Sequence, residues 1–201
     1  MATTNHPRKG SSIKVEPIRD LKQIKSIKKL LADSPRDLAI FTVGINTNLR
    51  ASDLVKLKVG DLRHLAPGDH FDLREKKTQK KRSITVNKTV YDAVQALLTS
   101  MPDAADTDYL FPSRKGGGPL SVPNLNSLVK EWTRMINLRG NYGSHTLRKT
   151  FGYIHRTVFN TDIPTLMTMF NHATQKQTLD YLCVQPDEIQ NAYLREILMR
   201  Q

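Results

Sequence analysis

The chain has 201 residues, enough for one domain with a proper core, and carries thirty-one Lys and Arg against nineteen Asp and Glu, a formal net charge of +12. That excess favours polyanionic partners, chiefly nucleic acid, through counterion release and long-range steering. No apolar run is long enough to span a bilayer, the polar start Met1–Lys14 does not read as a signal peptide, and one cysteine, Cys183, leaves no internal disulfide, so a cytoplasmic, membrane-free setting is expected.

Residues 1–15 lack periodicity and read as a disordered basic tail. From Pro17 an apolar stripe of Ile18, Leu21, Ile24, Ile27, Leu30 and Leu31 with lysines between them predicts a helix. Asp33-Ser34-Pro35 marks a break and a new start, and Asp37 to Thr47 is nearly all apolar, the mark of a buried helix. Ser52 reads as the N-cap of a short helix reaching about Lys58. Alternation at His70–Arg74 and Arg82–Val86 predicts two strands around the basic turn 75–81. Helical spacing returns at Val90, Val94, Leu97 and Leu98. After the glycine-rich loop 115–119, helices are expected at about Val122–Asn137, Ser144–Phe159, Asp162–Phe170, Gln175–Cys183 and Asp187–Met199. The expectation is a mainly α domain, residues 16–186, with one small antiparallel β-sheet, followed by a C-terminal helix, 187–201.

Four elements carry chemistry. His145-Thr-Leu-Arg148 places an imidazole and a guanidinium on one face of a helix, where both can converge on one anionic group. Asn171-His172 is followed by Tyr181 in Thr178-Leu-Asp-Tyr181. Arg50 lies in Leu49-Arg50-Ala51-Ser52-Asp53-Leu54, and a lysine-rich turn holds Lys76, Lys77, Lys80 and Lys81. Each alone has a bland reading: a surface pair, a helix-capping histidine, a packed tyrosine ring, a solvated charge run. Their order and spacing together do not.

The set resembles the tyrosine recombinase (phage integrase) family, whose signature runs Leu-Arg-x-Ser-Glu/Asp-Leu, then Lys-Thr-x-Lys on a hairpin, His-x-Leu-Arg, Gly/Asn-His and Thr-x-x-Tyr. The resemblance covers about residues 16–195. Two departures stand out: Phe170-Asn171-His172 where many members have Leu-Gly-His, and Arg148-Lys149-Thr150 where many have Arg-His-Thr/Ser. Members usually carry an N-terminal clamp domain, and only residues 1 to about 16 precede the catalytic region here. The expectation is either a domain cut from a longer protein or a naturally short recombinase, with Met1 and the basic tail favouring the second.

The resemblance implies the tyrosine recombinase catalytic-domain fold and strand transfer on double-stranded DNA, with neither a metal nor ATP. Tyr181 is the implied nucleophile; a free tyrosine, with a pKa near ~10, needs help to lose its proton. His145 is implied to move that proton, Arg50 and Arg148 to hold the non-bridging phosphate oxygens, His172 to bond the same phosphate, and Lys77 to protonate the leaving oxygen. Lys76, Lys80 or Lys81 could take the place of Lys77. Further DNA contacts, mostly to phosphates, are expected from Lys76, Lys80, Lys81, Arg82, Lys130, Arg134, Arg139 and Lys149. Members assemble as tetramers on DNA, and the C-terminal helix is expected to pass to a neighbouring protomer or to fold back on its own domain. The rival readings are a type IB topoisomerase and a catalytically silent DNA-binding regulator; a helix-turn-helix regulator fits less well.

Overall fold

A computed structural model describes residues 15–74, 81–114, 116, 118–182, 190, 193 and 194. Within these the chain forms helices α1 (Leu21–Leu30), α2 (Pro35–Asn46) and α3 (Ala51–Leu54), strands β1 (His70–Arg74) and β2 (Lys81–Thr85), and helices α4 (Lys88–Thr99), α5 (Val122–Met135), α6 (Ser144–Thr157), α7 (Ile163–Phe170) and α8 (Gln175–Leu182). The strands pair antiparallel, with Phe71 opposite Ile84 and Leu73 opposite Arg82. The expected mainly helical architecture with its small sheet is the one adopted.

The apolar stretch beginning at Asp37 becomes α2, apolar on nearly every face and therefore central. Ala39, Ile40, Phe41 and Val43 are fully buried, and α4 and α6 pack across it. Trp132 of α5 meets Phe41 edge-on, the ring centroids 6.0 Å apart. The crossing with α6 depends on Gly44, where a Cβ would stand 2.6 Å from Leu147 Cδ1.

A second, smaller core lies on the other side of α6, made of Phe151, Leu166, Phe170 and Leu182. Helix α6 thus joins two cores: Leu147 belongs to the large one and Phe151 to the small one. Gly152 permits this, since a Cβ there would lie 2.6 Å from Phe170 Cζ and 3.0 Å from Leu182 Cδ2. Asparagines take the left-handed backbone that follows several helices: Asn48, Asn137, Asn160 and Asn171 all have φ near +55°.

Two expectations are corrected. The first helix begins at Leu21, with Asp20 accepting a hydrogen bond from the Lys22 amide; Pro17 and Ile18 precede it, where the Ile18 N–H donates to Thr150 Oγ1 at 2.8 Å instead of to a helical carbonyl. Ser52 is not an N-cap: Arg50 holds that position, and the helix stops at Leu54. Lys58 is instead drawn into a bridge with Tyr109, and the Val59 N–H donates to the Asp108 carbonyl at 3.0 Å, which takes the chain out of helical register. The expected helix at Asp187–Met199 lies outside the described residues except for Gln190, Tyr193 and Leu194. Among the described residues no helix is long and apolar enough to cross a membrane.

Candidate active site

Helices α6 and α8 meet so that His145 Nδ1 lies 3.1 Å from the Tyr181 hydroxyl, hydrogen-bond distance between residues 36 apart in sequence. His145 is the exposed residue of the otherwise buried first turn of α6, and Tyr181 is half-buried. One turn further along α6, Arg148 is 2% exposed. Its Nη2 donates to the Phe170 carbonyl at 2.9 Å, and its guanidinium carbon stands 5.1 Å from the Phe170 ring centre and 5.7 Å from that of Tyr181. Burying a permanent cation is costly, so Arg148 marks a place built for negative charge.

Helix α7 brings the second histidine. Its start is held by Asp162, whose carboxylate accepts from the Thr165 N–H at 2.7 Å and the Thr165 hydroxyl at 2.9 Å. These bonds hold the Asp162 carboxyl below its ordinary pKa. At the other end Asn171 turns the chain through left-handed backbone, delivering His172 against the Phe170 ring, stacked at 5.0 Å. The His172 ring centre is 5.5 Å from that of Tyr181, and its Nδ1 is 3.0 Å from Thr178 Oγ1 on α8. Thr178, fully buried, is the threonine of the Thr-x-x-Tyr pattern and ties α8 to the histidine it must face.

Tyr181, His145, His172 and Arg148 therefore form one cluster around the Phe170 ring. Lys149 joins it: 7% exposed, with Nζ 5.6 Å from the centre of the Tyr181 ring. Arg50 stands at the N-cap of α3 with extended backbone, half-buried, on a helix packed against α5 and α6. The turn before it is fastened to the site, because the Asn48 side-chain amide donates to the Met169 carbonyl at 2.8 Å.

Lys76, Lys77 and Lys80 lie outside the described residues. Lys81 is exposed at the base of the hairpin. Arg82 shares the inward face of β2 with Ile84 and donates to the carbonyls of Asn48, at 2.9 Å, and Thr47, at 3.2 Å. Lys130, Arg134 and Arg139 are exposed and line an open groove of about 710 Å³ with Asn137 and Tyr142. Burial and the nearby Glu16 raise the pKa of Tyr142. Among the described residues no group of three or more His, Cys, Asp or Glu side chains is placed to hold a metal ion. Sequence reasoning missed Asn48, Phe170 and Thr178. Thr178 was visible in its motif, whereas Asn48 and Phe170 act through left-handed backbone and ring stacking, which residue type alone does not signal.

The phage integrase family model matches residues 19–188 of this chain. The chain belongs to the phage integrase family. Among its relatives is the Bacillus subtilis (strain 168) protein described as a probable integrase/recombinase, YoeC, 34% identical over 180 residues that cover 89% of this chain and 95% of YoeC. The tyrosine recombinase XerC of Caldanaerobacter subterraneus subsp. tengcongensis is 30% identical over 186 residues, covering 89% of this chain and 51% of XerC. The chain thus spans nearly all of the first and about half of the second. The crystal structure of XerA recombinase superposes with a TM-score of 0.73 at 20% identity, covering 90% of this chain and 65% of that one. The catalytic domain of bacteriophage HP1 integrase does so at 0.57 and 17% identity, covering 90% and 94%. By fold and kinship the chain is a tyrosine-type recombinase of the phage integrase family, and the Arg50, His145–Arg148, His172 and Tyr181 motifs all fall inside the matched residues.

Proposed function

We propose that this family member cleaves and rejoins double-stranded DNA at defined sites through a 3′-phosphotyrosyl link on Tyr181. The observation that carries this reading is the 3.1 Å approach of His145 Nδ1 to the Tyr181 hydroxyl beside a buried arginine. A neutral His145 with Nδ1 unprotonated accepts the phenolic proton as the oxygen attacks phosphorus. The bond from phosphorus to the 5′-oxygen breaks, and that oxygen leaves as a hydroxyl after protonation, the role assigned to Lys77. Arg148 and Arg50 hold the non-bridging oxygens, where charge grows in the transition state, and His172 donates to the same phosphate. One phosphodiester is exchanged for another phosphate ester, so the step conserves bond energy and calls for no ATP. A 5′-hydroxyl from a second strand then reverses it.

The relatives support the DNA partner: XerH, of the same fold, is known in complex with its palindromic difH substrate after cleavage. Assembly of protomers on the DNA belongs to the same reading, with residues 187–201 either passing to a neighbouring protomer or folding back on their own domain. Incubation in EDTA with nicked suicide duplexes tiled from the DNA flanking its own gene tests the chemistry. An SDS-resistant protein–DNA adduct is expected with wild type and not with Tyr181→Phe. Persistence of the adduct in that variant would show that another residue is the nucleophile, and joining of two defined sites, as against relaxation of any supercoiled DNA, separates recombinase from topoisomerase.

A further inference from the structure

The last turn of a helix leaves four carbonyls without intrahelical donors. In α7 all four are met. The Met167 carbonyl accepts from the His172 N–H at 3.0 Å and the Thr168 carbonyl from the Asn171 N–H at 3.0 Å. The remaining two accept from elsewhere in the fold: Phe170 from Arg148 Nη2 at 2.9 Å, and Met169 from Asn48 Nδ2 at 2.8 Å. Asn48 is two residues before Arg50, 1% exposed, and has φ +55°. Its own carbonyl accepts from Arg82 Nη1 at 2.9 Å, beside the bond from Arg82 Nη2 to Thr47. A chain of bonds therefore runs from the base of the hairpin, through the turn bearing Arg50, to the helix end bearing His172.

Resting on the recombinase reading, we propose that Asn48, braced by Arg82, is a positioning residue for the cleavage step: it holds the Arg50 turn and the His172 end of α7 in one fixed geometry. Its stabilising value is small by comparison, because Oδ1 of the same amide is buried with no hydrogen-bond partner among the described residues. Glycine accepts φ +55° without strain, so Asn48→Gly removes the amide and spares the backbone.

The test is single-turnover adduct formation on a suicide duplex by Asn48→Gly, His172→Ala and the double variant, with duplex affinity and melting temperature measured alongside. Asn48→Gly should cleave about tenfold more slowly or worse, the scale of a small misplacement of reacting groups, with affinity and melting near wild type. In the His172→Ala background it should add less than about twofold, the non-additivity of residues acting as a unit. Arg82→Met should reproduce part of the loss and Arg82→Lys restore part of it. Wild-type cleavage by Asn48→Gly, or full multiplication of its effect on His172→Ala, would overturn the inference while leaving the recombinase reading intact. Normal cleavage by His172→Ala would remove the role of His172 and this inference with it.

Discussion

His155 is the described histidine whose environment acts on its charge most plainly. Its ring lies against Phe151, centroids 4.1 Å apart, and meets Phe159 at 5.2 Å. This burial disfavours the imidazolium and holds the folded pKa below the ordinary value. As pH falls, the unfolded chain takes up its proton first, at about 6.5. The contribution of His155 to stability is therefore fully present above that pH and lost as the pH drops through the lower folded value. Thermal midpoints measured between pH 7.5 and 5 should fall for wild type and fall less for His155→Gln. Parallel curves for the two proteins would show that His155 is not the group responsible. Lys149 teaches a related lesson. The sequence places it among candidate DNA contacts, and the structure buries it against the Tyr181 ring, inside the cluster of candidate site residues. A lysine's type states its charge, and the register of its helix decides what that charge faces.

At the scale of elements, the proposed catalytic geometry is a three-helix problem: α6 carries His145 and Arg148, α7 leads into His172, α8 carries Tyr181, and Phe170 is the common surface between them. The closeness of these helices rests on Gly152. Gly152→Ala forces a methyl group towards Phe170 Cζ and Leu182 Cδ2, an overpacking expected to cost roughly 1–3 kcal/mol of unfolding free energy. Because the displaced groups carry the Tyr181 platform, cleavage should fall further than stability alone explains. Adduct formation measured well below the melting temperature checks this, and full activity in a destabilised protein would show that α7 and α8 shift without carrying Tyr181 away from His145. The helices were legible in the sequence for two reasons: α2 lies in the nearly all-apolar stretch 37–47, and α4 lies where the helical spacing of Val90, Val94, Leu97 and Leu98 places it. The short α3 was misjudged because Ser52 has the chemistry of a cap, whereas the helix opens at Arg50 without a side-chain capping bond and the chain then pairs Lys58 with Tyr109, a partner some fifty residues away that local patterning does not reveal. The candidate catalytic residues stood out in the sequence for a different reason: their types recur in a fixed order, while Asn48, proposed to hold two of those segments together, has no pattern of its own.

Over the whole molecule the net charge of +12 has to be divided between cations that can meet a phosphate backbone and cations already committed to the fold. Arg82 is committed to two backbone carbonyls, Arg36 to Asp37 at 2.7 Å and to the Pro112 carbonyl, and Arg63 to Asp106 at 2.7 Å. Lys130, Arg134 and Arg139 instead line one open groove on the side of α5 and the α5–α6 connection. Each phosphate neutralised by a cation releases counterions and steepens the fall of log K with log salt by about 0.9. If all three meet phosphates, Lys130→Ala, Arg134→Ala and Arg139→Ala combined should flatten that slope by about 2.7 and weaken binding to any duplex alike. Lys149→Ala, which removes a buried cation, should lower single-turnover cleavage and leave the slope nearly unchanged. Fluorescence anisotropy of a labelled duplex from 50 to 300 mM salt supplies both slopes. A triple variant with the wild-type slope would move the DNA track away from this groove and onto other exposed cations, of which Lys81 at the hairpin is one. A Lys149→Ala slope reduced by a full phosphate would return that lysine to the duplex.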